Sequence, residues 1–104
     1  MNKRGVIVVA FDLPAIKKSE KKEYTKFRNN IKKLGYVFLQ ESVYVKLVRN
    51  TSANGEELKR LESIAPADGK IFALPMSLEG FKRNVYIRGA EFNFAEFSDD
   101  IICI

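Results

Sequence analysis

The sequence contains no histidine and a single cysteine, Cys103. One cysteine excludes an intramolecular disulfide, and without histidine the usual zinc ligand sets cannot be assembled within one chain. The commonest general base is missing too, and with it the usual activator of a serine or cysteine nucleophile, which argues against acyl-transfer triads. Any chemistry must rest on carboxylates, lysines or a hard cation such as Mg²⁺. Cys103 itself, within Ile101-Ile102-Cys103-Ile104, reads as a small hydrophobe in a strand. Long apolar runs are equally scarce. The longest, Val6 to Phe11, falls far short of the ~20 residues that a membrane-spanning helix needs, and no basic segment with a long apolar core opens the chain. The expected setting is the cytoplasm, with no membrane partner.

What is present describes a folded domain. A chain of 104 residues is one domain's worth, expected here to span residues 1–104 without a linker or repeat. A hydrophobic fraction of 46% beside a charged fraction of 30% excludes disorder and fibrous repeats alike. The net charge of +5 suits a polyanionic partner, but only the distribution of that charge turns it into an argument about binding.

Periodicity supplies the elements. Gly5 to Phe11 is a continuous β-branched and aromatic run, the pattern of a strand buried on both faces and hence central in a sheet. Asp12-Leu13-Pro14 ends it, because Pro14 cannot donate to a ladder, so Asp12 sits at the strand's carboxyl end. From Lys17 to Leu34 the residues Tyr24, Phe27, Ile31 and Leu34 recur on one helical face, and Gly35 follows as a C′ stop. Strands are expected at Tyr36 to Leu39 and Ser42 to Val48. In the second, Val43, Val45 and Leu47 form a core face and Ser42, Tyr44 and Lys46 a polar one. Leu58, Leu61, Ile64 and Ala65 mark a second helix ending at Pro66. A strand from Lys70 to Met76, a short helical segment from Ser77 to Arg83, and strand pieces at Asn84 to Arg88 and Ile101 to Ile104 complete the chain. The order is the α+β, ferredoxin-like β-α-β-β-α-β plan with an extra C-terminal strand.

Two features could carry chemistry. The first helix holds Lys17, Lys18, Lys21, Lys22, Lys26, Arg28, Lys32 and Lys33 against only Glu20 and Glu23. Lys22, Lys26, Asn29 and Lys33 form one stripe opposite the apolar face, with Lys18, Lys21, Thr25, Arg28 and Lys32 beside it. A solvated face would mix both signs at i,i+4 spacing, so the excess points to phosphate contact. No aromatic residue interleaves the arc, which favours duplex backbone over stacked single-stranded bases. Lys46 and Arg49 offer an alternative basic side on the sheet. The second feature is Asp12. Alone it reads as a turn carboxylate accepting hydrogen bonds from amides of the next loop; it becomes a metal ligand only if a two-fold axis brings a second copy close.

The strings VVAFDLP, EYTKFRNNIKKLGY and, above all, LQESVYVKL resemble the CRISPR-associated Cas2 family, especially members from Cas9 systems. The likeness continues through Asn50-Thr51, Lys70 to Met76 and Val85-Tyr86-Ile87-Arg88-Gly89, covering nearly the whole chain. It implies a ferredoxin-like homodimer acting as an adaptation subunit that binds duplex protospacer DNA and bridges the Cas1 integrase. It implies a metal-dependent endonuclease site in which Asp12 is catalytic and shares Mg²⁺ with its twin. Lys22, Lys26, Arg28, Lys32 and Lys33 would then face nucleic acid. Gln40, Ser42 and Tyr44, with Ile101, Ile102 and Ile104 of the terminal strand, would support the dimer or partner interface.

Two other functions compete on the same fold. An RNA-recognition module needs an aromatic-rich signature on a central strand, which Ser42 to Leu47 lacks. A toxin-type ribonuclease of similar architecture stays open on sequence alone.

Overall fold

A computed structural model describes residues 4–49 and 54–93. Its elements are β1 (Gly5–Asp12), α1 (Lys18–Lys33), β2 (Val37–Gln40), β3 (Val43–Val48), α2 (Asn54–Ile64), β4 (Lys70–Ser77) and α3 (Leu78–Lys82). The four strands form one antiparallel sheet in the order β2-β3-β1-β4. This is the ferredoxin-like arrangement, with β1 in the interior as its unbroken apolar run requires.

The ends of α1 follow from local chemistry. Glu20 reaches back so that its Oε1 accepts the Lys17 amide at 2.8 Å and the Ile16 amide at 3.2 Å, satisfying donors that the first turn leaves free. At the other end Gly35 adopts φ +98, its amide donates to the Lys32 carbonyl at 3.0 Å, and the Tyr36 amide donates to the Ile31 carbonyl at 3.3 Å. That pair of bonds is a Schellman cap, and it needs a residue tolerant of the left-handed region at position 35.

Helices α1 and α2 lie on one face of the sheet, over a core of Ile7, Val9, Phe11, Leu13, Phe27, Ile31, Tyr36, Tyr44, Val48 and Leu61. Phe11 is its centre: its ring lies 5.0 Å from Phe27, 5.8 Å from Tyr44 and 6.0 Å from Tyr24. Burying each such ring stabilises the fold by roughly 1.5–3 kcal/mol. A smaller cluster of Val6, Val45, Leu47 and Phe81 occupies the other face, where α3 covers one end of the sheet.

Two expectations need correction. The side of β3 expected to be polar faces the helices. Tyr44 is 2% exposed, and Lys46 is half-buried, while Val45 and Leu47 serve the second cluster, so β3 is buried on both faces. Lys46 is tolerated there because Glu57 of α2, itself 5% exposed, accepts from its Nζ at 3.0 and 3.1 Å and from Arg60 Nη1 at 2.7 Å. The same Nζ donates to the Leu34 carbonyl at 2.7 Å and stands 5.6 Å from the Tyr36 ring, which ties α2 to β3 and to the end of α1. The second correction concerns residues 84–88, which form no strand: within one chain no described segment supplies a ladder partner. The expected strand at Ile101 to Ile104 lies outside the described residues. Among those described, no helix is long and apolar enough to cross a membrane.

Candidate nucleic-acid interface and carboxylate site

Asp12 is the last residue of β1, and in register it stands opposite Lys70 at the start of β4. Ile7, Val9 and Phe11 point to the helices, so the alternation of a strand places Val6, Val8, Ala10 and Asp12 on the other face. The same alternation puts Phe72, Leu74 and Met76 of β4 beside them, since Ile71 and Ala73 pack toward the helices. Because α3 covers only the Val6 and Met76 end, the Asp12 end is open: Phe72 is 59% exposed and Leu74 45%. Among the described residues, Asp12 therefore closes an uncovered, largely apolar sheet surface.

The carboxylate is exposed, and among the described residues it accepts no hydrogen bond and forms no ion pair. A turn-capping role, the alternative open from sequence, is therefore not what this side chain does here. Its backbone is held tightly from the α2–β4 turn. Gly69 adopts φ +96, and a Cβ there would come within 2.7 Å of Leu13 Cδ2 and 2.8 Å of the Asp12 carbonyl oxygen. A rigid main chain thus presents an unengaged carboxylate. Among the described residues it stands alone, since no group of three or more potential metal ligands gathers there. Asp12 could hold a hard cation only together with further ligands.

The basic helix is solvent-facing along its length. Lys22, Lys26, Arg28, Lys32 and Lys33 are all exposed, and among the described residues the ion pairs are those of Glu57 with Lys46 and Arg60. The expected cations divide between two flanks. Lys26 borders a groove between α1 and α2, with Glu23, Asn30, Ser63 and Pro66. Arg28 lies on the β2 side, 5.7 Å from the Tyr24 ring and close enough to Tyr44 to act on its phenol: burial pushes that phenol above 10 and the Arg28 charge partly offsets the push. The alternative basic surface on the sheet loses its main member, because Lys46 is committed to Glu57 and Leu34.

The expected interface residues fare differently. Gln40 is exposed on edge strand β2, beside an irregularity in the pairing between Phe38 and Gln40. Ser42 is half-buried at φ +64, and its carbonyl accepts the Phe11 amide at 3.0 Å. Tyr44 is enclosed by Phe11 and Phe38, so it fills the core and presents no surface to a partner. Ile101, Ile102 and Ile104 fall outside the described residues. Sequence reasoning missed the exposed apolar residues Phe38, Phe72, Leu74, Val85 and Ile87. The alternation in β4 was a signal for two of them; nothing local announced the others.

Comparison with known proteins agrees with this architecture. The family described as CRISPR associated protein Cas2 matches residues 6–84. A protein of Campylobacter jejuni named CRISPR-associated endoribonuclease Cas2 is 35% identical over 84% of this chain, the match spanning 62% of the relative. A Streptococcus mutans protein of the same name is 36% identical over 80% of this chain and 78% of its own length. A solved structure titled "Crystal structure of cas2" superposes with a TM-score of 0.58 at 15% identity, covering 85% of this chain and 90% of the other, which speaks to the fold. With the family match running from the first strand to the segment after α3, and relatives above 30% identity across most of its length, this chain belongs to the Cas2 family.

Proposed function

We propose that the protein is a CRISPR adaptation subunit that works as a homodimer, binds duplex DNA along α1 and bridges the Cas1 integrase, with a metal-dependent endonuclease site built from two copies of Asp12. The observation that carries this reading is the unengaged Asp12 at the end of an uncovered apolar sheet face. A second copy is the natural cover. It would bury Phe72 and Leu74, and the irregular segment with Val85 81% exposed and Ile87 92% exposed could reach the unpaired edge of β4. A two-fold axis near the end of β1 would then bring the two carboxylates together.

The donor chemistry fits Mg²⁺, which prefers anionic oxygen and completes its shell with waters and substrate phosphates. When bound, the ion would polarise a phosphodiester and lower the pKa of a water. The chain's own contribution is positional: β1 and Gly69 fix the Asp12 main chain, and the exposed α1 cations offer a separate surface for the phosphate backbone. The relatives' name favours a second reading, in which RNA is the substrate cut at the same carboxylates.

The experiment is a pair of independent assays on purified protein. Asp12→Asn should abolish Mg²⁺-dependent cleavage of either nucleic acid, yet leave spacer integration with Cas1 nearly intact. Cleavage that survives the substitution overturns the metal site, and lost integration makes Asp12 part of the assembly. Duplex affinity should fall steeply with salt, log K dropping by about 0.9 per phosphate contacted for each decade. Replacing Lys26, Arg28, Lys32 and Lys33 by Gln should flatten that slope; an unchanged slope moves the binding face away from α1.

A further inference from the structure

The basic stripes of α1 carry no aromatic residue of their own, but the fold brings an exposed one to their side. Phe38 of edge strand β2 is 54% exposed and stands opposite Tyr44 in register, which places its side chain on the helix-bearing face of the sheet. Its ring meets Tyr44 edge-on, with centroids 5.8 Å apart at 83°. Tyr44 stacks in turn on Phe11, which packs against Phe27. The exposed ring is thus anchored on one side by the core and open on the other. Arg28 approaches the same Tyr44 from α1, on the flank away from α2. Exposed Gln40 and Glu41 follow Phe38 along the chain.

A fixed aromatic face beside a cationic helix flank is an arrangement that can stack bases along a phosphate track. Such a ring is of no use to an intact duplex, whose bases are already stacked on one another. It offers a partner to a base that has lost its own. The neighbouring Glu41 carboxylate disfavours a phosphate at the turn, which leaves the phosphates to the Arg28 and Lys32 side and turns the base toward Phe38. We propose that Phe38 and Arg28 form a stacking site for an unpaired nucleobase, at an overhang or frayed end of the nucleic acid held along α1. This rests on the nucleic-acid-binding reading above and extends it to a preference for ends.

The test compares a blunt duplex with the same duplex carrying a short overhang that contains 2-aminopurine, measuring affinity by anisotropy and stacking by fluorescence quenching. The wild-type chain should bind the overhang duplex at least about fivefold more tightly than the blunt one, the low end for base–aromatic stacking, and quench the probe. Phe38→Ala should erase both the preference and the quenching while leaving blunt-duplex affinity and its salt slope unchanged. Phe38→Leu, which keeps the apolar bulk without the ring, should behave like Phe38→Ala, and Phe38→Tyr should restore both signals. Equal wild-type affinity for the two duplexes, or equal weakening of both by Phe38→Ala, overturns the site. So does a Phe38→Ala chain that keeps the preference but sediments as a smaller assembly, which would make Phe38 a protein contact. Failure of the wild type to bind blunt duplex at all would instead sink the underlying reading of α1.

Discussion

The two faces of the sheet hold two very different carboxylates. On the helix face Glu57 is 5% exposed, and two cations and a closed apolar core surround it. On the other face Asp12 is exposed, unpaired among the described residues, and bordered by apolar side chains that no described residue covers. The first is a completed structure, in which every charge has a partner and removing one leaves the rest uncompensated. The second is an incomplete one, and incompleteness at a rigid backbone position is what a site assembled from two copies requires. The contrast separates a charge that the fold has already satisfied from one that no described residue satisfies.

The strongest way to break that contrast is to cut the same residue type on each face. Phe27→Ala, on the closed face, should lose about 4 kcal/mol of stability, the range for a buried phenylalanine that leaves a cavity. Phe72→Ala, on the open face, should cost less than about 1 kcal/mol within a single copy and act instead on self-association. Urea unfolding measures the first and sedimentation equilibrium the second. A Phe72→Ala chain as destabilised as Phe27→Ala would mean that the open face is already closed within one copy.

Charge removal gives a smaller difference of the same kind. Glu57→Gln strands Lys46 in a half-buried site and should cost about 3 kcal/mol. Asp12→Asn removes a carboxylate with no partner among the described residues, and stability should change by less than about 0.5 kcal/mol. Equal losses from the two would refute the distinction between them.

The smallest expected effect is on pH dependence. Burial, and then the charge and close approach of the Glu57 carboxylate, push the Tyr36 phenol well above its ordinary value of 10.0, and among the described residues its buried hydroxyl has no partner in hydrogen-bonding geometry. A folded-state pKa above the unfolded one means that the native chain holds this proton more tightly. The contribution is therefore fully present below pH 10 and is lost as pH rises above it. Urea midpoints measured at about pH 9 and about pH 11 should fall less in Tyr36→Phe than in the wild type. An unchanged slope would place the alkaline sensitivity elsewhere.

Much of the architecture was legible in sequence because it rests on interactions of short range. The apolar run of β1 demanded an interior strand, and Gly35 marked the end of α1 by the one conformation its cap needs. The exposure of the α1 cations followed from the helical period once Phe27 and Ile31 defined the inward face. Asp12 was placed at a strand end by Pro14, and it lies there. By contrast, the alternation of β3 offered two faces without saying which the helices would cover. Tyr44 was misjudged for that reason, as a tyrosine serves equally well inside a core or on a surface.

What sequence by itself determined is thus the elements from β1 to α3, the order of the plan and the sign of the first helix, since hydrophobic period, caps and turn residues act within a few positions of one another. Only the tertiary structure decided that Lys46 answers Glu57 across 11 residues, that Gly69 presses on the Asp12 carbonyl, and that Phe38 stands on the α1 side of an edge strand. Each of those facts depends on which distant segments become neighbours. That choice is made by the packing of the whole core, and no local stretch of sequence contains it.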